Sequence, residues 1–269
     1  MQKGKVLIKG GTSGLGFELV KCFLQKGFEV FATGRDPLKL FYQDERLHFI
    51  RVDFSDLADI RKSIRELLDN VGRFDKVINN AGVLSPPEFI VTGNDIEYSF
   101  QVNFLSHLLI DELIVRSKTD SDPITIVSVT SPVYKYVKPS FRLPEASSYQ
   151  PFKTYAESKF YILLIGEYLL IKYPEKNLKF IGYDPGTFSS GIYRMQKGWF
   201  QRMYQIAAPF MRNPAKVAWI LTEILEDEEL ISEAVYWRKN GFRNMNRIDK
   251  EPIDDFMKKC FVKIESYII

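Results

Sequence analysis

The chain is poor in cysteine. Among its 269 residues there are only two, Cys22 and Cys260, and they lie far apart in predicted helices. Neither takes part in a spacing typical of metal ligands, so no metal site is expected. So little cysteine also indicates a reducing compartment.

Long apolar runs are missing as well. The longest, residues 160–171, is interrupted by Gly166 and Glu167 and is too short to cross a bilayer. Because the first strand is predicted from about Lys5, no room is left for a signal peptide. We therefore expect a soluble, cytoplasmic protein without a membrane span.

Runs of like charge and internal repeats are also lacking. The net charge of +3 comes from scattered basic residues, and no five like charges follow one another, so nucleic acid is not an expected partner. Low-complexity segments and repeats do not occur. With 45% apolar and 26% charged residues, length and composition fit a single α/β domain over residues 1–269.

A glycine-rich loop lies between the first predicted strand and helix, residues 5–8 and 17–24. The loop residues expected to approach a dinucleotide are Gly10, Thr12, Ser13, Gly14, Leu15 and Gly16. Such glycines let the main chain pass close to phosphates, and the helix N-terminus supplies amide donors. A plain glycine turn is the alternative, but the position at the first strand–helix junction favours a pyrophosphate site.

The end of the second strand, residues 29–33, predicts which dinucleotide is bound. Arg35 follows this strand, and an arginine here accommodates a ribose 2′-phosphate. Arg35, together with Ser13, therefore favours NADP(H). The neighbouring Asp36 leaves NAD(H) possible.

Two later strand ends extend the predicted cofactor site. After residues 47–52, Asp53 and Phe54 are placed to meet the adenine, and Ser55 is predicted to cap the next helix. After residues 76–78, a short polar and glycine-containing loop would line the cofactor's inner edge. Its residues are Asn79, Asn80, Ala81 and Gly82.

Strands and helices alternate along the whole chain. The remaining strands are predicted at residues 123–127, 178–181 and 234–237, and further helices at 94–116, 152–172, 214–226 and 253–263. Seven such strands predict one parallel sheet covered on both faces, with the doubly wound order 3-2-1-4-5-6-7. The helices at 94–116 and 152–172 could pair across a homodimer or simply cover the sheet.

Two irregular segments are candidates for functional loops. Residues 132–154 are rich in tyrosine, proline and serine, and loops of this length in compact domains are usually functional or disordered. Residues 188–212 carry aromatic and methionine side chains after the sixth strand, which predicts a segment that covers substrate. Ordinary core packing is the alternative for this second segment.

Five tyrosines are followed four residues later by a lysine. At this spacing a phenol and an ammonium share a helix face, and the ammonium can lower the phenol's pKa. The pairs are Tyr134/Lys138, Tyr149/Lys153, Tyr155/Lys159, Tyr168/Lys172 and Tyr193/Lys197. Two of them lie beside prolines, one lies far along its helix and one in the presumed covering segment. Only Tyr155 and Lys159 lie in the first turns of a helix that starts at the sheet's carboxyl edge, where a cofactor binds.

Together these motifs resemble the short-chain dehydrogenase/reductase family over nearly the full chain, and within it the retinol dehydrogenase-like branch. In family order they are Gly10-x-x-x-Gly14-x-Gly16, Asn79-Asn80-Ala81-Gly82, Asn103, Ser131, Tyr155-x-x-x-Lys159 and Pro185-Gly186. Residues 77–82, 95–109 and 214–237 and the long interval from Ser131 to Tyr155 point to the branch. The resemblance implies a Rossmann-type domain and a dinucleotide also contacted by Pro185, Gly186 and Thr187.

The resemblance also implies catalytic roles. Tyr155 would donate a proton in carbonyl reduction and accept one in alcohol oxidation. Lys159 would bind the nicotinamide ribose and depress the pKa of Tyr155. Ser131 would hydrogen-bond the substrate oxygen, and Asn103 would hold a water in a proton relay behind Lys159. A histidine such as His107, four residues after Asn103, is more often a core residue than a catalytic one.

The expected activity is an NADP(H)-dependent carbonyl reductase or alcohol dehydrogenase for a bulky, mainly apolar small molecule. A non-catalytic cofactor-sensing or scaffold protein is one alternative, and an epimerase or dehydratase is another.

One departure from the family pattern concerns Lys9, which stands where the family usually has threonine. That threonine braces the 79–82 loop, so the brace is in question here.

Overall fold

Eight strands form one sheet in the described part of this computed structural model. The structure describes residues 3–40, 42–119, 121–186, 196, 198, 211–227, 234–238, 241–243 and 250–269, with main chain alone for 234–238, 241–243, 250 and 251. The strands are β1 (Lys5–Lys9), β2 (Glu29–Gly34), β3 (Leu47–Arg51), β4 (Lys76–Asn79), β5 (Ile124–Val129), β6 (Leu178–Asp184), β7 (Ala234–Arg238) and β8 (Gly241–Arg243).

The order across the sheet is β3-β2-β1-β4-β5-β6-β7-β8. Strands β1 to β6 pair in parallel, which confirms the predicted doubly wound order 3-2-1-4-5-6. Strand β7 lies parallel beside β6, and β8 pairs with β7 in the antiparallel direction. The sequence did not predict β8, because three residues are too few to show a strand periodicity.

The helices cover both faces of this sheet. They are α1 (Gly14–Gln25), α2 (Leu57–Val71), α3 (Tyr98–Phe100), α4 (Ser106–Ser117), α5 (Pro151–Lys172), α6 (Pro214–Ile224) and α7 (Lys250–Ile268). A π-helical segment, Gln101–Leu105, joins α3 to α4. Short 3₁₀ turns lie at Pro37–Lys39, Pro132–Tyr136 and Ala146–Ser148.

Alternating strand side chains fill two separate cores. In β1, Val6 and Ile8 face a core shared with α1 and α6, whereas Leu7 faces a core shared with α2, α4, α5 and α7. This alternation follows from the two-residue period of a strand. Because both faces are buried, the strands read in sequence as continuous apolar runs.

Two helix starts differ from the sequence-based prediction. The helix expected from residue 94 begins at Tyr98, where the Glu97 carboxylate accepts a hydrogen bond from the main chain of Phe100 at 2.6 Å. The prediction that Ser55 caps α2 was wrong. The cap is Asp56, which accepts from the amides of Ala58 and Asp59 at 2.9 and 3.1 Å. Both residues suit a cap, so local chemistry alone did not separate them.

Helix α7 is longer than predicted and packs on α2, α4 and α5. The ring of Phe256 lies 4.4 Å from that of Tyr161 in α5, centroid to centroid. The Arg65 guanidinium in α2 donates to the carbonyl of Ile268 at 2.7 Å. In the part of the chain that the structure describes, no helix combines the length and apolar character needed to cross a membrane.

Candidate active site

The predicted site residues lie at the carboxyl ends of the parallel strands. β1 leads into the glycine loop, β4 ends at Asn79, β5 precedes Ser131 and β6 precedes Pro185. In a doubly wound sheet these ends share one edge, beside the point where the strand order reverses. The first turns of α1 and α5 start at the same edge.

The glycine loop leaves no room for a side chain at Gly10 or Gly16. Gly10 has a φ of +82°, and a Cβ there would lie 2.9 Å from the Cα of Ala81. A Cβ on Gly16 would lie 2.0 Å from the Gly10 carbonyl oxygen. The Ser13 side chain at the N-cap of α1 makes no cap hydrogen bond. The loop and the helix N-terminus therefore fit a dinucleotide pyrophosphate, which needs close main-chain approach and amide donors.

The loop after β4 is tied to the glycine loop and to α4. The amide of Asn80 donates to the Gly10 carbonyl at 2.9 Å. His107, which is fully buried, lies with its Nε2 2.9 Å from the carbonyl oxygen of Ala81. Burial and the charges of two lysines hold the pKa of this imidazole well below its usual range. His107 is therefore a neutral donor to the loop, in line with a structural role.

Asn103 binds both main-chain polar groups of Val83, the residue that follows this loop. Its Oδ1 accepts from the Val83 amide at 2.7 Å, and its Nδ2 donates to the Val83 carbonyl at 2.9 Å. Nδ2 also donates to Ser158 Oγ at 3.0 Å, and that hydroxyl donates to the carbonyl of Tyr155 at 2.7 Å. Asn103 lies in the π-helical segment, a local distortion often found at functional sites.

The ammonium of Lys159 lies beside Asn103 and Gly82. Its Nζ donates to the carbonyl of Val129 at 3.2 Å, and a Cβ on Gly82 would lie 3.3 Å from Nζ and 3.2 Å from Asn103 Oδ1. Tyr155 and Lys159 are 9% and 4% exposed. Burial lowers the pKa of Lys159 to about 8. The structure thus places Gly82, Asn103 and Lys159 together, one helical turn from Tyr155.

The three hydroxyl side chains at the carboxyl end of β5 have different surroundings. Ser128 is fully buried and accepts from Asn79 Nδ2 at 3.1 Å. Thr130 donates to the carbonyl of Lys159. Ser131 is half-buried, extended, and precedes the Pro132–Tyr136 turn, which packs against α5 without a cap bond from the Ser131 hydroxyl. The geometry therefore favours Ser131 over Ser128 as the hydroxyl that can meet a substrate.

Two carboxylates near the ends of β2 and β3, where the adenosine is predicted to bind, already accept hydrogen bonds. Asp36 accepts from the Leu38 amide at 3.0 Å and caps the Pro37–Lys39 turn, whereas the preceding Arg35 is exposed. Asp53 Oδ1 accepts from the Ser55 amide and hydroxyl at 2.9 and 2.7 Å. Phe54 is buried, with its ring 5.3 Å from that of His107.

The turn after β6 is held from both sides. Asp184 Oδ1 accepts from the Gly186 amide at 2.9 Å, and Arg212 donates to the Pro185 carbonyl at 3.2 Å. Thr187, the Tyr193/Lys197 pair and nearly all of residues 188–210 lie outside the described residues. From that segment, Gln196 donates to the carbonyl of Ser85 at 2.8 Å.

A family model described as short chain dehydrogenase matches residues 4–197. The chain belongs to this family. Among curated relatives, mouse (Mus musculus) retinol dehydrogenase 14 is 29% identical over 209 residues, and human retinol dehydrogenase 11 is 26% identical over 235. The chain is therefore a retinol dehydrogenase-like short chain dehydrogenase, as the motifs indicated.

These matches are partial in length. They cover 70% of the chain and 62% of the mouse relative, and 82% of the chain and 74% of the human one. A crystal structure of a Brucella melitensis 3-ketoacyl-(acyl-carrier-protein) reductase complexed with NADH superimposes with a TM-score of 0.65 at 17% identity, over 87% of this chain and 95% of that one. That likeness concerns the fold.

The Tyr168/Lys172 pair makes a direct side-chain contact. Lys172 Nζ donates to the Tyr168 hydroxyl at 2.7 Å and to Glu112 at 2.7 Å. Burial and the Glu112 carboxylate raise the pKa of Tyr168. A phenol whose pKa is raised is a poor proton donor at neutral pH, so contact alone does not make a catalytic pair.

Sequence reasoning missed two residues that shape the site, Ser158 and Asp111. Ser158, inside the Tyr155-x-x-x-Lys159 motif, links Asn103 to α5. Asp111 and Asn79 join Lys9 in a buried network beneath the loop. A visible signal was available for Asp111, because Asn103, His107 and Asp111 recur every four residues on one helix face.

Proposed function

We propose that the protein is an NADP(H)-dependent oxidoreductase. It moves hydride between the nicotinamide and a carbonyl or alcohol carbon of a bulky, mainly apolar small molecule. The observation that carries this proposal is the meeting of Lys159, Asn103 and the Gly82 loop at the first turns of α5. Family membership as an oxidoreductase and the glycine loop beside this site support it.

The proposed cofactor site runs along the sheet edge. The pyrophosphate would lie on residues 10–16, and the inner edge of the nicotinamide half on Asn80, Ala81 and Gly82. Pro185, Gly186 and Thr187 would close its far side. The related Brucella reductase is a complex with NADH, which supports a nicotinamide dinucleotide of either kind.

The preference for NADP(H) rests on Arg35 and Asp36. The carboxylate of Asp36 is occupied by the Leu38 amide and lies 3.6 Å from the Lys39 ammonium. It is therefore drawn away from a ribose 2′ position, and the exposed guanidinium of Arg35 can pair with a 2′-phosphate. Ser13 adds a hydroxyl at the same end. Asp53 and Phe54, which follow β3, would border the adenine.

The protein's own groups handle the proton and the developing charge. A nicotinamide held there would supply or accept the hydride. Tyr155 would donate its phenolic proton to the substrate oxygen during reduction and take it back during oxidation. The ammonium of Lys159 would hold the nicotinamide ribose and stabilise the phenolate form of Tyr155. Ser131 would hydrogen-bond the substrate oxygen, and Asn103 would support a water behind Lys159.

The bulky apolar substrate follows from the surroundings of α5. Tyr136 and Phe152 are 78% and 56% exposed, and both line a groove between the 132–138 turn and the start of α5. Gln196 of the predicted covering segment reaches the loop after β4 through Ser85. The curated relatives are retinol dehydrogenases by name, which supports a large apolar alcohol or aldehyde.

Titration of purified protein with NADPH and NADH, followed by assay on a panel of aliphatic, aromatic and polyene aldehydes and ketones, tests the proposal. We expect tighter binding of NADPH and net NADPH oxidation with at least one large apolar aldehyde. Binding without oxidation of NADPH by any member would favour a cofactor-sensing protein. Substrate conversion without net cofactor consumption would indicate an epimerase or dehydratase.

A further inference from the structure

Lys9 lies directly before the first glycine of the dinucleotide loop and is fully buried. Its Nζ lies 2.5 Å from Oδ1 of Asp111 and 3.4 Å from the main-chain oxygen of His107. Asp111 is also fully buried. A lysine and a carboxylate are rarely buried completely unless they are paired, so each residue requires the other.

The pair continues into the loop after β4. Asp111 Oδ2 accepts from Asn79 Nδ2 at 2.6 Å, and the same amide group lies 3.1 Å from Ser128 Oγ. Asn79 is the last residue of β4 and starts the 79–82 loop. Lys9 is therefore connected, through Asp111, to the point where this loop leaves the sheet.

Asp111 is the third member of a polar stripe on the helix that crosses this loop. Asn103 holds Val83, His107 holds Ala81 and Asp111 holds Asn79. The three residues are spaced four apart, so they share one face of the helix, and together they fix the loop at alternate positions. The first two bind main-chain groups directly, whereas Asp111 acts through a side chain and needs a counter-charge.

We propose that Lys9 and Asp111 are positioning residues that set the 79–82 loop for the dinucleotide. This inference rests on the proposed cofactor. The pair supports cofactor binding through loop geometry, beyond any contribution to stability.

The energetics of buried ion pairs separate this role from a structural one. Desolvation offsets most of the attraction in such a pair, so replacing both partners by apolar residues of similar size is often neutral for stability. The same replacement leaves Asn79 without its carboxylate partner, while the amide keeps only Ser128. We therefore expect the 79–82 loop to be less well fixed in such a variant, even where the free energy of unfolding is unchanged.

The double substitution Lys9→Met/Asp111→Leu tests the proposal. We expect a melting temperature close to that of the parent and faster amide exchange at residues 79–83 in the cofactor-free protein. The dissociation constant for NADPH, measured by its fluorescence, should rise about tenfold, which corresponds to one strong hydrogen bond. If the double variant does not fold, the isosteric Asp111→Asn should raise the dissociation constant at least about threefold.

Glu112→Gln is the matched control. Glu112 is the next residue of α4, is also fully buried, and pairs with Lys172 at 2.7 Å, but it faces α5 away from the loop. This variant should lose stability and bind NADPH as the parent does. An unchanged dissociation constant in the Lys9 and Asp111 variants, or an equal loss in Glu112→Gln, would overturn the positioning role. Failure of the parent itself to bind any nicotinamide dinucleotide would instead overturn the proposed function, and this inference with it.

Discussion

At the scale of single residues, burial brings the charge of Lys159 into a pH range in which lysines usually stay protonated. Its pKa is lowered from 10.5 to about 8 because the ammonium loses its hydration. A dinucleotide bound through this ammonium favours the charged form, so binding above pH 8 has to be accompanied by proton uptake.

We therefore predict that NADPH affinity falls as the pH rises above 8, by up to about tenfold per pH unit. Lys159→Arg should remove this slope, even if its affinity is lower throughout, because a guanidinium stays charged. Binding titrations of both proteins between pH 7 and about pH 9.5 check the prediction. Parallel slopes would show that another group titrates.

Arg35 and Asp36 give a second residue-scale prediction. Arg35→Ala should weaken NADPH binding about tenfold or more and leave NADH binding nearly unchanged, since only NADPH carries the 2′-phosphate. Asp36→Ala is the neighbouring control and should leave the ratio of the two affinities unchanged, because its carboxylate is already used by Leu38. A ratio that shifts with Asp36→Ala and not with Arg35→Ala would contradict the assignment.

The sequence predicted some residues of the candidate site and missed others. The glycine loop was predicted from its place between the first strand and helix, and Tyr155 and Lys159 from theirs in the first turns of a helix at the sheet's carboxyl edge. Ser158 and Asp111 were missed, since their roles depend on which side chain meets which across elements that are distant in sequence. The cap of α2 was misassigned to Ser55 because Ser55 and Asp56 are both good capping residues.

At the scale of elements, the apolar runs of β1 to β6 predicted strand positions to within a few residues. Such runs are informative because each strand is buried on both faces. The π-helical turn at Gln101–Leu105 could not be predicted, as one extra residue in a turn leaves no periodic signal. The full length of α7 was also missed, because its ends depend on contacts with α2 and α4.

Helix α7 supplies the element-scale prediction. Phe256 is 1% exposed and its ring meets Tyr161 and Phe104, so Phe256→Ala should lower the free energy of unfolding by about 3–5 kcal/mol. Val262 on the same helix is 69% exposed, and Val262→Ala should change stability by about 0.5 kcal/mol or less. Chemical denaturation of the two variants checks this. Equal losses would mean that α7 does not pack as described.

At the scale of the whole molecule, the two cores hold the sheet, and Asn103, His107 and Asp111 hold the loop at its carboxyl edge. The helices that cover one face also carry Asn103, Tyr155 and Lys159, so the packing that buries the core sets the geometry of the site. The short chain dehydrogenase fold thus places Gly82, Asn103 and Lys159 together, one helical turn from Tyr155.

The central claim, that Tyr155 handles the proton beside a bound dinucleotide, is tested most directly by Tyr155→Phe. With NADPH and an aldehyde that the parent reduces, binding and turnover are measured on the same samples. We predict an NADPH dissociation constant within about threefold of the parent's and a turnover rate lower by about 10²–10⁴-fold. Turnover at the parental rate, or loss of NADPH binding in step with turnover, would contradict the account.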